Sequence, residues 1–319
     1  MARHLAGKPQ RRDPRSRRGG AGTIVVVLVL LVLGGTLLLA PSVSAVLDQL
    51  RVEEAVAGRR EASDPVADAA QDGADEKDDP TYQALVAYNE EVRAGTGDAV
   101  NDPFAFSGDE LAQLGLPDGI VGSVDIPKMG VTLPLYLGAT SEHLASGAAV
   151  IAGTSMPIGG ASSNCVIAAH RGVWSGLQMF RDIELLEVGD TLTITTRWDT
   201  LTYRVFETRA IAPDDVGALA VREGRDLVTL FTCHPYGQHT QRYLVYCERV
   251  DNAEAQESAG LVDRVMRAYL PAASEDSPSL TVELVLRVAG LVALVAIAVA
   301  LVAVVARRLR ARRRTGPRS

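Results

Sequence analysis

Cys233, His170 and Arg242 are the residues with the most chemistry to offer. The densest stretch is TLFTCHPYGQHTQRYLV, Thr229 to Val245. An apolar strand over 226–233 ends in Cys233, Pro235 and Gly237 supply a tight connection, and a second strand opens at Arg242. Antiparallel pairing of the two would bring Cys233 and Arg242 to one rim of a sheet. A third strand, 165–170, reads CVIAAH and ends in His170 just before Arg171-Gly172. By side-chain alternation Leu227, Thr229, Phe231 and Cys233 share a face, as do Arg242, Leu244 and Tyr246, and Val166, Ala168 and His170. A cysteine, a histidine and an arginine at one rim suit nucleophilic catalysis. The imidazole takes the thiol proton or pairs with the thiolate and later protonates a leaving amine. The guanidinium offers fixed donors to a carbonyl or a developing oxyanion.

The other candidates are weaker. Alternation turns His234 to the face opposite Cys233, so Cys233, His234 and His239 make no zinc set, and neither a metal nor a cofactor is expected. The sequence names no partner for His143, His239 reads as a loop residue, and Trp174 and Trp198 read as packing or surface residues. Cys165 and Cys247 fall on the faces opposite His170 and Arg242 and read as small buried hydrophobes. If the Cys233 strand lies between theirs, their Cα atoms stand roughly 9–10 Å apart, beyond the limit of about 7 Å for a disulfide.

Eight short strands broken by Gly and Pro are expected to place these residues: 119–126, 131–137, 149–151, 165–170, 191–196, 200–212, 226–233 and 242–250. That pattern argues a mainly β domain, a barrel or a sandwich. Short helices are expected over 82–93, 142–146 and 174–183, with an amphipathic helix over 254–270 and a spacer over 271–278.

The 319 residues carry a net charge of −7, distributed unevenly. Seven of the 32 Lys+Arg lie in residues 1–18 and seven in 307–319, whereas 38 of the 39 acidic residues lie between. Such an acidic middle argues against a nucleic-acid partner. Residues 23–40 and 288–306 are free of charge, and 18 or 19 helical residues cover about 27–28 Å, close to a bilayer's hydrocarbon core. The flanking arginine clusters put both termini in the cytoplasm and the middle outside. The first span reads as an uncleaved anchor, because its apolar run exceeds a signal peptide's; Ser42-Val43-Ser44 and Ser44-Ala45-Val46 leave a cleaved leader as the alternative. The expected organisation is a basic tail over 1–22, a span over 23–46, an extracellular helix and acidic linker over 47–80, a helix and loop over 81–118, the barrel over 119–252, a juxtamembrane helix and linker over 253–281, a second span over 282–306 and a basic tail over 307–319.

Thr229-Leu230-Phe231-Thr232-Cys233 resembles the TLxTC motif of sortases, and Arg242 follows nine residues on, as in that family. Ala169-His170-Arg171-Gly172 resembles the family's histidine segment, and the likeness runs upstream through VGSVDIPKMGVTLPLY, Val121 to Tyr136, and GTSMPIGG, Gly153 to Gly160. CHPYGQHTQRYLV, the span after the barrel, and Asn101-Asp102-Pro103-Phe104 are similar to class C, pilin-polymerising sortases of Gram-positive bacteria. The resemblance implies an eight-stranded sortase β-barrel with short helices, flanked by two transmembrane helices. It implies a cysteine transpeptidase that cleaves an LPxTG-like signal between Thr and Gly through a thioester on Cys233 and joins pilin subunits through a lysine isopeptide bond. His170 would be acid and base, Arg242 the carbonyl or oxyanion stabiliser, and Asp102, Pro103 and Phe104 a lid, with Phe104 over Cys233 and Asp102 paired to Arg242. The alternatives are a sortase that anchors proteins to the cell wall and a non-catalytic receptor or scaffold on the same barrel.

Overall fold

The computed structural model describes residues 78–95, 111–174 except 113, 117, and 177–314 except for the side chains of a few near the C-terminus, with scattered positions between 25 and 54. The candidate first span, the acidic linker and the candidate lid residues Asp102, Pro103 and Phe104 lie largely or wholly outside the described residues.

The N-terminal helix α1, Pro80–Ala94, starts where Asp79 Oδ1 accepts from the Thr81 amide at 2.8 Å and Pro80 supplies a preset φ. Gly95, at φ 66°, ends it in the left-handed conformation. The other Asp79 oxygen accepts from Arg197 Nη2 at 2.6 Å and Trp198 Nε1 at 2.8 Å, so the cap also docks the helix. Tyr88 Oη and Asn89 Oδ1 accept from the amides of Gly153 (2.8 Å) and Met156 (2.6 Å).

Eight strands close a barrel: β1 (Ile120–Ile126), β2 (Val131–Leu137), β3 (Ala148–Val150), β4 (Ser163–Ala168), β7 (Thr191–Thr196), β8 (Thr200–Ile211), β9 (Asp226–His234) and β10 (Gln241–Val250), in the order β1-β2-β3-β4-β9-β10-β8-β7. The protein is mainly β, and closure leaves the barrel without a sheet edge. A short helix α2, Ser141–Ser146, precedes β3. Inward residues fill the interior, among them Val124, Leu133, Leu135, Ile167, Ile194, Val228, Leu230 and Val245, all fully buried. A smaller cluster lies on the outer face of β8, β9 and β10, where Ile211, Leu244 and Tyr246 pack with Phe231 and Phe206.

β4 and β9 run parallel and β9 and β10 antiparallel, so β9 is the middle of the three. Cys165 and Cys247 both stand level with Val228, one on each side of it, and all three cysteines are free.

The helix expected over 174–183 does not form. Its apolar residues mimic helical spacing, but Val173–Trp174 (β5) and Leu177–Gln178 (β6) pair as a small hairpin, followed by a 3-10 turn over Ile183–Leu185. Met179 N donates to Gly172 O and Phe180 N to His170 O, both at 3.0 Å, and these bonds extend the hairpin. Gly172, at φ 153°, makes the bend between β4 and β5. The amphipathic helix is shorter than expected: α3 spans Leu261–Tyr269. It docks through Arg181, a fully buried cation paired with Asp182 at 2.9 Å, whose Nη2 and Nη1 donate to the carbonyls of Arg267 (2.5 Å) and Ala268 (3.4 Å). The C-terminal helix α4 runs Pro278–Arg314. Among the described residues it is the one helix long and apolar enough to cross a membrane, over Pro278–Arg307, with a mean hydropathy of 3.1 in its most apolar window. The barrel and its attachments lie within a compact unit, Pro41–Arg287.

Candidate active site

The site is built from strand register. Arg242 stands directly opposite Cys233 in the β9–β10 ladder. Ala168 is level with Phe231 in the parallel β4–β9 ladder, and two residues further along each strand come His170 and Cys233. Two bonds carry that register past the end of β4: Ala169 N donates to Phe231 O at 3.2 Å, and Thr232 Oγ1 donates to Ala169 O at 2.7 Å. Cys233 and Arg242 on β9 and β10, and His170 just past the end of β4, therefore stand at one level on the outer face of the barrel, and none is fully buried. Thr232 is buried and serves as this inward-facing tie.

Each side chain has a distinct setting. The His170 ring lies against the Trp174 ring, centroids 4.4 Å apart at 30°. Burial, and secondarily His239, hold the imidazole below its ordinary pKa, which favours the neutral base. Trp174 itself is half exposed, with Val173 beside it. Arg242 Nη1 donates to the carbonyls of Gln241 (3.0 Å) and His239 (3.3 Å), while its other donors make no hydrogen bond to a described residue. Cys165 and Cys247, by contrast, are sealed in the barrel wall, where burial pushes both thiols far up.

Beneath the three residues lies a polar cluster that sequence reasoning missed. His234 is buried on the opposite face from Cys233. Its Nδ1 is 3.0 Å from Glu184 Oε1 and 3.3 Å from Arg171 Nη1. A single ring nitrogen serves one of these, and the nearer carboxylate makes it a donor. Glu184 Oε1 also accepts from Arg171 Nη2 at 2.8 Å and from Ser277 Oγ at 2.9 Å. Arg171 Nη1 reaches the carbonyl of Cys233 itself at 3.3 Å. Burial works to raise the Glu184 carboxyl, but hydrogen bonds from Arg171, Ser274 and Ser277, together with the Arg171 charge, outweigh it and hold the group below the ordinary carboxylate value. Burial keeps the His234 imidazole low despite Glu184. The one sequence signal was alternation, which turned His234 inward; nothing in the sequence linked it to a glutamate fifty residues earlier.

A profile of the sortase domain matches residues 124–250. A crystal structure of sortase C1 from Streptococcus agalactiae superposes with a TM-score of 0.50 at 32% sequence identity, covering 56% of this chain and 91% of that one. The chain belongs to the sortase family. Its structural neighbours are class C sortases: that of Clostridium perfringens, determined with the C-terminal cell wall sorting motif, has a TM-score of 0.51 at 29% identity and covers 62% of this chain and 98% of that one. Sortase D of Bacillus subtilis is 26% identical over 132 residues, 40% of this chain and 63% of its own length. The match thus spans somewhat under two thirds of that sortase, and 58% of sortase A of Bacillus anthracis.

Proposed function

We propose that this sortase is a membrane-anchored cysteine transpeptidase of the pilin-polymerising kind. The observation that carries the reading is the pairing of Cys233 with Arg242 across β9 and β10, with His170 two residues past the end of the neighbouring β4. Similarity to class C sortases, one of them determined with a sorting motif, supports the substrate class. In this reading Cys233 gives its thiol proton to His170, and its Sγ attacks the threonine carbonyl carbon of an LPxTG-like signal. The carbonyl π electrons move onto oxygen, where Arg242 donors meet the developing charge. When the oxyanion collapses, the Thr–Gly C–N bond breaks, His170 protonates the departing glycine amine, and a thioester remains on Cys233. A pilin lysine then attacks the thioester carbon and loses a proton to His170; the C–S bond breaks as the isopeptide bond forms, and His170 returns that proton to the departing Cys233 sulfur. The reaction needs no cofactor and no metal.

The apolar α4 would anchor the enzyme, with the candidate first span as a second crossing, both arginine-rich termini in the cytoplasm and the barrel outside. Asp102, Pro103 and Phe104 would form a lid over the empty site, Pro103 stiffening the loop.

The test is Cys233→Ala in a strain whose other sortases are deleted. Pilus polymer should vanish while the protein stays folded and membrane-bound. Polymer that persists overturns the catalytic reading.

A further inference from the structure

Tyr236 stands three residues after Cys233, in the loop that joins the cysteine to Arg242. Residues from the entry to the C-terminal helix hold it at three points. Its amide donates to Ser277 Oγ at 3.1 Å, its carbonyl accepts from Ser279 Oγ at 2.7 Å, and its hydroxyl donates to Glu283 Oε2 at 3.4 Å. The same Ser277 hydroxyl donates to Glu184, whose Arg171 partner holds the Cys233 carbonyl. Ser277 is completely buried although it lies in the stretch between α3 and the membrane helix, where a solvated spacer would be expected. Two routes therefore run from this segment to the nucleophile: one along the loop backbone through Tyr236, the other through Glu184 and Arg171.

We propose that residues 277–283, at the entry to the membrane helix, are a positioning element of the catalytic site. They fix the loop between Cys233 and Arg242 and so hold the thiol at its working distance from His170. The proposal rests on the transpeptidase reading for the roles of Cys233 and His170. None of these residues touches the substrate; each acts through the backbone of the loop. A single buried hydroxyl at the junction of both routes explains why a serine stands at 277, and the three contacts on Tyr236 explain why a polar helix start follows it.

The experiment uses the full chain in bilayer nanodiscs, with Ser277→Ala plus Ser279→Ala against the native sequence and against Ser279→Thr, which keeps a hydroxyl at an exposed position. Two rates are read: alkylation of Cys233 by iodoacetamide without peptide, and kcat and KM for peptide transfer. Cys165 and Cys247 are buried and do not compete. Misplacing a nucleophile by a fraction of an ångström costs about tenfold or more in rate. The double variant should therefore lose about tenfold in both alkylation and kcat, with KM and the melting temperature nearly unchanged, and Ser279→Thr should behave as the native chain. Unchanged alkylation in the folded double variant overturns the proposal. So does a loss that tracks a falling melting temperature, or one that Ser279→Thr shows as well. Slower alkylation in a chain that transfers no peptide at all would retain the positioning role and reject the transpeptidase reading.

Discussion

Arg242 faces Cys233 across the β9–β10 ladder, and the loop between them turns under Tyr236. An antiparallel pair at the mouth of a hairpin is among the stiffest ways to set two side chains at a fixed separation, because the ladder fixes both backbones. The guanidinium then needs only its rotamer to reach a carbonyl bound at the thiol. Arg242→Lys keeps the charge but loses the planar fork of donors. Transfer should fall by about tenfold to a thousandfold in kcat, with Cys233 still alkylated by small reagents. Steady-state kinetics beside an alkylation assay separates the two effects, and a variant with native kcat would remove Arg242 from the chemistry.

Trp174 covers one side of the His170 ring. Removing that cover in Trp174→Ala hydrates the imidazole, so its pKa should climb toward the ordinary value near 6.5. The sign follows from the cause: burial lowers the native value, and less burial lowers it less. NMR titration of the assigned His170 ring should show a midpoint below 6.5 in the native chain and a higher one in the variant. A midpoint above that value in the native chain contradicts the burial argument.

Glu184 gathers Arg171, His234 and Ser277 on one oxygen. Glu184→Gln strips the charge and leaves a fully buried guanidinium short of its partner, a loss of about 3–5 kcal/mol of stability. The carboxyl's folded pKa is depressed, so its contribution is present above the unfolded value, about 4.3, and is lost as pH falls through the lower folded value. Melting temperatures should therefore differ most at neutral pH and converge toward pH 3. A constant gap across that range would show that the charge is not what stabilises the cluster.

Of the three cysteines, two are sealed in the barrel wall on either side of Val228. Titration with a thiol reagent under native conditions should count one reactive group, and under denaturing conditions three. Two fast-reacting groups in the native state would mean that the β4–β9–β10 wall opens.

The barrel was largely legible in the sequence because its strands alternate and its turns carry Gly and Pro. Val131–Leu137 and Thr191–Thr196 have the expected bounds. β4 is displaced by two residues, since it starts at Ser163 and stops at Ala168 when His170's carbonyl turns to Phe180 N. The segment after His170 misled: Trp174, Leu177, Phe180 and Ile183 are spaced like a helix face, but their burial is decided by a hairpin folded back on the barrel. The sequence alone places Cys233 near Arg242, since a tight connection between two strands leaves the register little freedom. The cluster under the site was invisible because Arg171, Glu184, His234 and Ser277 span more than a hundred residues, and no local pattern says which buried charges will meet. In the sequence Trp174 reads as a packing or surface residue, and its contact with His170 depends on the same hairpin.

The account turns on whether Cys233 forms a thioester with a sorting signal. The full chain in nanodiscs, with and without Asp102→Ala plus Phe104→Ala, is incubated with an LPxTG-type peptide and examined by intact mass and peptide mapping. The account predicts an acyl adduct on Cys233, absent in Cys233→Ala, that forms faster when the lid residues are replaced. An adduct on any other residue, or none on Cys233 across a panel of sorting-signal variants in a folded chain with a reactive thiol, would contradict it.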